Sequence, residues 1–196
     1  MNKKVLIPLA EGFEELEAIT VIDLLRRAEI QVTTASLDSG SQVSPVTASR
    51  GTIILPDITL DDALSESFDM FILPGGLPGA DNLNEDQRVH DILAKMNKSK
   101  QTIAAICAAP KVLMNANLLS DKTYTCYPGS VNVENYDQVK TKGSLRIDKN
   151  VTLCDNIVTS KGPGTAIEFA LTLISLLIDK DTANKIADAV LHPHLD

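Results

Sequence analysis

The stretch Gln101-Thr-Ile-Ala-Ala-Ile-Cys-Ala-Ala-Pro-Lys111 decides how this chain is read. Thr102–Ile106 is a short apolar run of strand length, and a helix-type segment, Pro110–Ala116, follows after only three residues. Cys107 stands at the junction, with Ala104, Ala105, Ala108 and Ala109 around it. Small neighbours permit a tight turn that projects the sulfur into a crevice, as in a nucleophile elbow. A thiol ahead of a helix also meets the positive end of its dipole, which favours thiolate and predicts a lowered pKa. The local sequence admits a second reading: a free cysteine is often only a small buried hydrophobe.

Working outward, the same alternation recurs. Strands are predicted at Lys4–Leu9, Gln31–Leu37, Thr52–Leu55, Met70–Leu73, Thr102–Ile106, Val151–Cys154 and Ile157–Thr159. Asp155-Asn156 is a hairpin turn signal between the last two. Helices are predicted at Glu14–Ala28, Asp86–Asn97, Pro110–Ala116, Thr165–Ile178 and Thr182–Leu191. Alternation of this kind implies an α/β fold, a mostly parallel sheet with helices on both faces. No Pro/Gly/Ser-rich linker divides residues 1–196, which are read as one domain.

Composition narrows the function classes. A net charge of −8 argues against nucleic acid or an anionic membrane as the main partner. Three cysteines without CxxC spacing suggest neither a disulfide framework nor a zinc site, so no metal is expected. Sparse cysteines and an N-terminus without an export-type apolar core point to a reducing, cytoplasmic setting. The apolar segment Phe169–Ile178 is too short to span a bilayer.

In parallel sheets, ligands bind beyond the carboxyl ends of the strands. Four loops at such ends are chemically unusual: Ala10-Glu-Gly-Phe-Glu-Glu-Leu-Glu17, Leu73-Pro-Gly-Gly76, Ile106-Cys-Ala-Ala-Pro110 and Ser160-Lys-Gly-Pro-Gly-Thr165. Glu17 begins the stripe Val21, Leu24, Ala28. It either reaches solvent at the helix end or is buried and protonated, its pKa raised by desolvation. Gly75 and Gly76 allow close backbone approach, so their N–H groups, with that of Ala108, are candidates for an oxyanion pocket. Gly162-Pro163-Gly-Thr lacks the spacing of a phosphate-binding loop and reads as a tight turn into a helix. His90 falls in a predicted surface helix, while His192 and His194 lie near the chain end and are read as an exposed tail.

Taken together, the four loops resemble those of the DJ-1/ThiJ/PfpI family in order and approximate spacing, from Lys3 to about Leu191. The resemblance is to the DJ-1-like branch with its small bacterial members. It implies a flavodoxin-like three-layer α/β sandwich and a homodimer. It implies further that Cys107 is the reactive cysteine, that Glu17 is the carboxylic acid bonded to it, and that Gly75, Gly76 and Ala108 line the oxyanion side, with Pro163 in the pocket. Arg50 matches a family arginine near the site or the dimer interface, and Arg27 is expected to reach across a dimer in the same way. Where some members carry His-Pro, this chain has Tyr127-Pro128. Tyrosine, with a reference pKa of about 10, is a poor base at neutral pH, which leaves Glu17 as the acid–base group. The activity implied is cofactor-independent conversion of reactive aldehydes such as methylglyoxal, with protein deglycation as a related reaction. The alternative is a redox-sensing or chaperone-like protective protein whose cysteine oxidises to sulfinate without turnover.

Overall fold

A computed structural model describes residues 3–131 and 141–195. Its centre is a sheet built from β1 (Lys4–Leu9), β2 (Gln31–Ser36), β5 (Ile58–Thr59), β6 (Met70–Leu73), β7 (Thr102–Ile106), β10 (Val151–Cys154) and β11 (Ile157–Ser160). The seven strands run in the order β10-β11-β7-β6-β1-β2-β5. Every pairing is parallel except the β10–β11 hairpin. That hairpin turns at Asp155, which adopts a left-handed conformation at φ 53°.

The central strands are apolar throughout because both faces are covered. Side chains alternate along a strand, so Val5, Ile7 and Leu9 of β1 enter one core while Leu6 enters the other. Along β7, Ala104 and Ile106 share the first core, and Ile103 and Ala105 the second. The first core lies under α1 (Glu15–Arg27), α6 (Ala166–Leu177) and α7 (Lys180–Ala189). The second lies under α2 (Leu60–Ala63), α4 (Gln87–Lys98) and α5 (Pro110–Asn115). The predicted α1 stripe faces inward, with Val21, Leu24 and Ala28 all buried. This is the flavodoxin-like three-layer arrangement expected.

Some small elements carry no periodicity in the sequence. They are the hairpin β3 (Val46–Thr47) and β4 (Ile53–Ile54), the short pair β8 (Thr123–Tyr124) and β9 (Leu145–Arg146), and α3 (Gly79–Glu85). Of these, only the β4 region was expected, as Thr52–Leu55. Among the described residues no helix is long and apolar enough to cross a membrane.

Candidate active site

Cys107 directly follows β7 with φ at 62°, a left-handed conformation uncommon for a residue with a side chain. The backbone is held there from three directions. Its N–H donates to the Ser160 carbonyl at 2.9 Å. Its carbonyl accepts the Tyr127 N–H at 2.9 Å and the Ser130 hydroxyl at 3.1 Å. The elbow is thus fastened to the end of β11 and to the 127–130 turn, and the side chain is only 8% exposed.

Glu17 approaches from the first turn of α1 and is fully buried. Its Oε2 accepts the Gly75 N–H at 2.9 Å, and its Oε1 is buried without a hydrogen-bond partner among the described residues. Gly75 is wedged between the two reactive side chains. A methyl group placed on it would lie 2.6 Å from Cys107 Cβ and 2.7 Å from Glu17 Oε2. Only glycine fits there, which explains the Gly75-Gly76 pair by steric need.

Burial pushes the Glu17 carboxyl up to about 7. Bonds from Cys107 and Gly75 oppose that rise, and the charge on Glu14 adds to it. Burial, followed by the charge of Glu17, also raises the Cys107 thiol, while the N–H groups of Gly76 and Ala108 pull it back down. The expectation of a lowered Cys107 pKa is therefore corrected. The helix that was to lower it begins only at Pro110 and has six residues, and desolvation beside a carboxylate outweighs its dipole. The two groups act as a coupled pair that releases its first proton near neutrality.

Above the sulfur opens a cavity of about 510 Å³. Of the expected residues it is lined by Cys107, Gly76, Ala108, Tyr127, Pro163 and Arg50. Gly75 lies beneath it, and its N–H is committed to Glu17 rather than free for a substrate oxygen. Gly76 and Ala108 remain as the N–H groups beside the sulfur. Arg27 does not line this cavity: it pairs with Asp23 at 2.7 Å on the exposed end of α1. On α4, His90 bonds to the Asn84 carbonyl of α3, and the tail folds back so that His192 and His194 line a different hollow beside Asn150 and Glu168. No histidine lines the cavity over Cys107. Among the described residues no cluster of His, Cys, Asp or Glu is arranged to hold a metal.

The sequence reading missed what the rest of the acidic cluster does. Glu14 caps α1, its Oε2 accepting the Glu17 N–H at 2.8 Å. Glu15 accepts from the Ser49 hydroxyl at 3.1 Å and the Arg50 N–H at 3.0 Å, which fixes the β3–β4 hairpin over the site. Desolvation works to raise the Glu15 carboxyl, but its own backbone N–H together with those bonds holds it below its ordinary range. Acidic residues at the start of a helix were the available signal, since caps and first-turn carboxylates gather there.

A family model described as the DJ-1/PfpI family matches residues 3–176. Protein dj-1beta of Drosophila melanogaster is 42% identical over 193 residues, spanning 97% of this chain and 98% of that protein. A Caenorhabditis elegans protein named glutathione-independent glyoxalase DJR-1.2 is 37% identical over 182 residues, 93% of this chain and 91% of its own. The crystal structure of Drosophila melanogaster DJ-1beta superposes with a TM-score of 0.89 at 39% identity, covering 99% of this chain and 100% of that one. A structure described as Toxoplasma gondii DJ-1, oxidized, gives 0.87 at 35% identity, covering 98% and 100%.

Proposed function

The chain belongs to the DJ-1/PfpI family, and from that premise we propose that it is a cofactor-independent thiol enzyme converting small α-oxo aldehydes such as methylglyoxal to hydroxy acids. The observation that supports this most is the coupled Glu17–Cys107 pair beneath an open cavity, with the carboxyl raised to about 7. A group with its pKa near ambient pH is suited to both accepting and returning a proton.

In this reading the Cys107 sulfur attacks the aldehyde carbon as its proton passes to the Glu17 carboxylate. A C–S bond forms, and the carbonyl electron pair moves to oxygen, beside the Gly76 and Ala108 N–H groups. Glu17 returns the proton to that oxygen, giving a hemithioacetal. It then removes the hydrogen from the same carbon and delivers it to the neighbouring ketone carbon through an enediol. The product is a thioester of the hydroxy acid, and water hydrolyses it and restores the thiol. The sum is methylglyoxal plus water to lactate, with no external oxidant or reductant. The relative named as a glutathione-independent glyoxalase supports this class of substrate. Steady-state lactate formation, wild type against Cys107→Ala, tests the proposal: turnover in the first and none in the second is expected. Equal rates would refute it.

One observation favours a second reading. The cavity has no histidine, and Tyr127 occupies the place where some members carry one. A site without that base is suited to hold an oxidised sulfur, with Gly76 and Ala108 donating to its oxygens and Glu17 able to donate a proton. In that case Cys107 senses oxidants without turnover, and methylglyoxal is not consumed.

The protein is further proposed to act as a homodimer in the cytoplasm. Leu16 and Ile19 on α1 are 53% and 43% exposed, and Ile53 on the β3–β4 hairpin is 67% exposed. Apolar side chains this open, next to the site, suit a second copy of the chain.

A further inference from the structure

Glu14, Gly75 and Glu17 form a closed ring of hydrogen bonds. The Glu14 N–H donates to the Gly75 carbonyl at 2.9 Å. The Gly75 N–H donates to Glu17 Oε2 at 2.9 Å. The Glu17 N–H donates to Glu14 Oε2 at 2.8 Å. The first link is backbone to backbone, and the second ends on the Glu17 carboxyl itself. The third depends on the Glu14 side chain, which also lines the cavity over Cys107.

We propose that Glu14 is a positioning residue for the Glu17–Cys107 pair, closing this ring so that the Glu17 carboxyl stays against the Gly75 turn, and placing a second carboxylate beside the first. The inference rests on the reading of Glu17 as the proton carrier of the site. Ordinary helix capping accounts for one bond. It does not account for a cap whose backbone and side chain both lead to the same reactive carboxyl, nor for one that faces the cavity.

The charge of Glu14 acts in the same direction as burial, raising Glu17. Among the described residues few other charges bear on it. Cys107 reaches Glu17 from the β7–α5 elbow, and Arg50 lines the cavity from the β3–β4 hairpin. The loop after β6 brings Gly75 and Gly76, without ionisable side chains. Lys161, in the loop after β11, pairs with Asp148 instead. Removing the Glu14 charge while keeping its oxygen therefore separates the two roles.

The test is the pH dependence of Cys107 alkylation by iodoacetamide, followed by peptide mass spectrometry, in wild type, Glu14→Gln and Glu14→Ala, with methylglyoxal turnover measured alongside. Glu14→Gln retains an oxygen for the Glu17 N–H. Its alkylation midpoint is expected to move to lower pH by roughly half a unit, the scale of one screened charge, with the plateau rate within about twofold of wild type. Glu14→Ala loses charge and ring link together. Its midpoint should move as far, and its plateau should fall by about tenfold because Glu17 is no longer held, an effect of the order that small misplacements produce. Superimposed profiles for all three proteins would overturn the proposal, as would a glutamine variant as impaired as the alanine one. If wild type does not consume methylglyoxal but the midpoints move as stated, the positioning role stands and the aldehyde reading falls.

Discussion

Replacing Glu17 with glutamine should make the protein more stable at alkaline pH while abolishing its chemistry. Glu17 is fully buried and its carboxyl is raised from 4.5 to about 7. A group whose folded pKa lies above its unfolded one gives its full stability below the unfolded value and loses it as pH rises through the folded value. Between pH 4.5 and 7 the unfolded chain releases this proton while the folded protein keeps it, so stability declines across that window. Holding the proton from 4.5 up to about 7 corresponds to a full loss of about 3 kcal/mol at high pH. Glutamine is isosteric and uncharged, and its oxygen can still accept the Gly75 N–H. Urea denaturation of wild type and Glu17→Gln at pH 5 and pH 8 isolates the effect, because the other ionisable groups are common to both. The variant should gain roughly 2–3 kcal/mol on wild type between those two pH values, part of the loss having already occurred at pH 5. A stability difference that stays constant within about 1 kcal/mol across the range would refute the claim that desolvation of Glu17 dominates its titration. On the proposed mechanism, the site keeps a destabilising charge for the proton transfer that Glu17 carries out.

Gly75→Ala would place a methyl group 2.6 Å from Cys107 Cβ and 2.7 Å from Glu17 Oε2; a loss of about 1–3 kcal/mol from overpacking is expected by denaturation, with slower Cys107 alkylation, and an unchanged alkylation rate would contradict the wedge. Two equivalents of peroxide, each delivering one oxygen and leaving as water, should take the Cys107 peptide through sulfenic to sulfinic acid, since no cysteine stands at CxxC spacing to resolve a sulfenate; a disulfide to Cys126 or Cys154 by mass spectrometry would make Cys107 an exchange switch instead. Light scattering at micromolar concentration should report twice the 21.1 kDa chain mass, and a monomer would end the argument from exposed Leu16, Ile19 and Ile53.

The strands that carry the site were legible because they are buried on both faces. Lys4–Leu9, Met70–Leu73 and Thr102–Ile106 appear where the uninterrupted apolar runs place them. Two-residue strands such as Val46–Thr47 and Ile58–Thr59 have no room for a period and were missed. Gly79–Glu85 is a helix that follows Leu77-Pro78 and is rich in turn-forming residues, so its local signal contradicts its structure. At the site, Glu17 and Cys107 were readable from loop chemistry and come together as expected. The roles of Glu14 and Glu15 were not, because one carboxylate caps a helix and the other holds a hairpin more than thirty residues away. Nor was the direction of the Cys107 titration. It depends on how deeply the elbow is buried, and a dipole argument made along the chain has no access to that. Arg27, expected by resemblance to reach across a dimer, pairs within its own chain with Asp23 one turn back on α1.

The central claim is that Cys107 forms a covalent bond to substrate while Glu17 moves the proton. Acid-quenched mass spectrometry of the protein during methylglyoxal consumption tests it most directly. The Cys107 peptide should carry the mass of one substrate molecule, sensitive to hydroxylamine as a thioester is, and should return to the free thiol once the substrate is exhausted. In Glu17→Gln the hydroxylamine-sensitive species should be absent. Lactate formation with Cys107 unmodified throughout, or adducts confined to lysine and arginine side chains, would contradict the account.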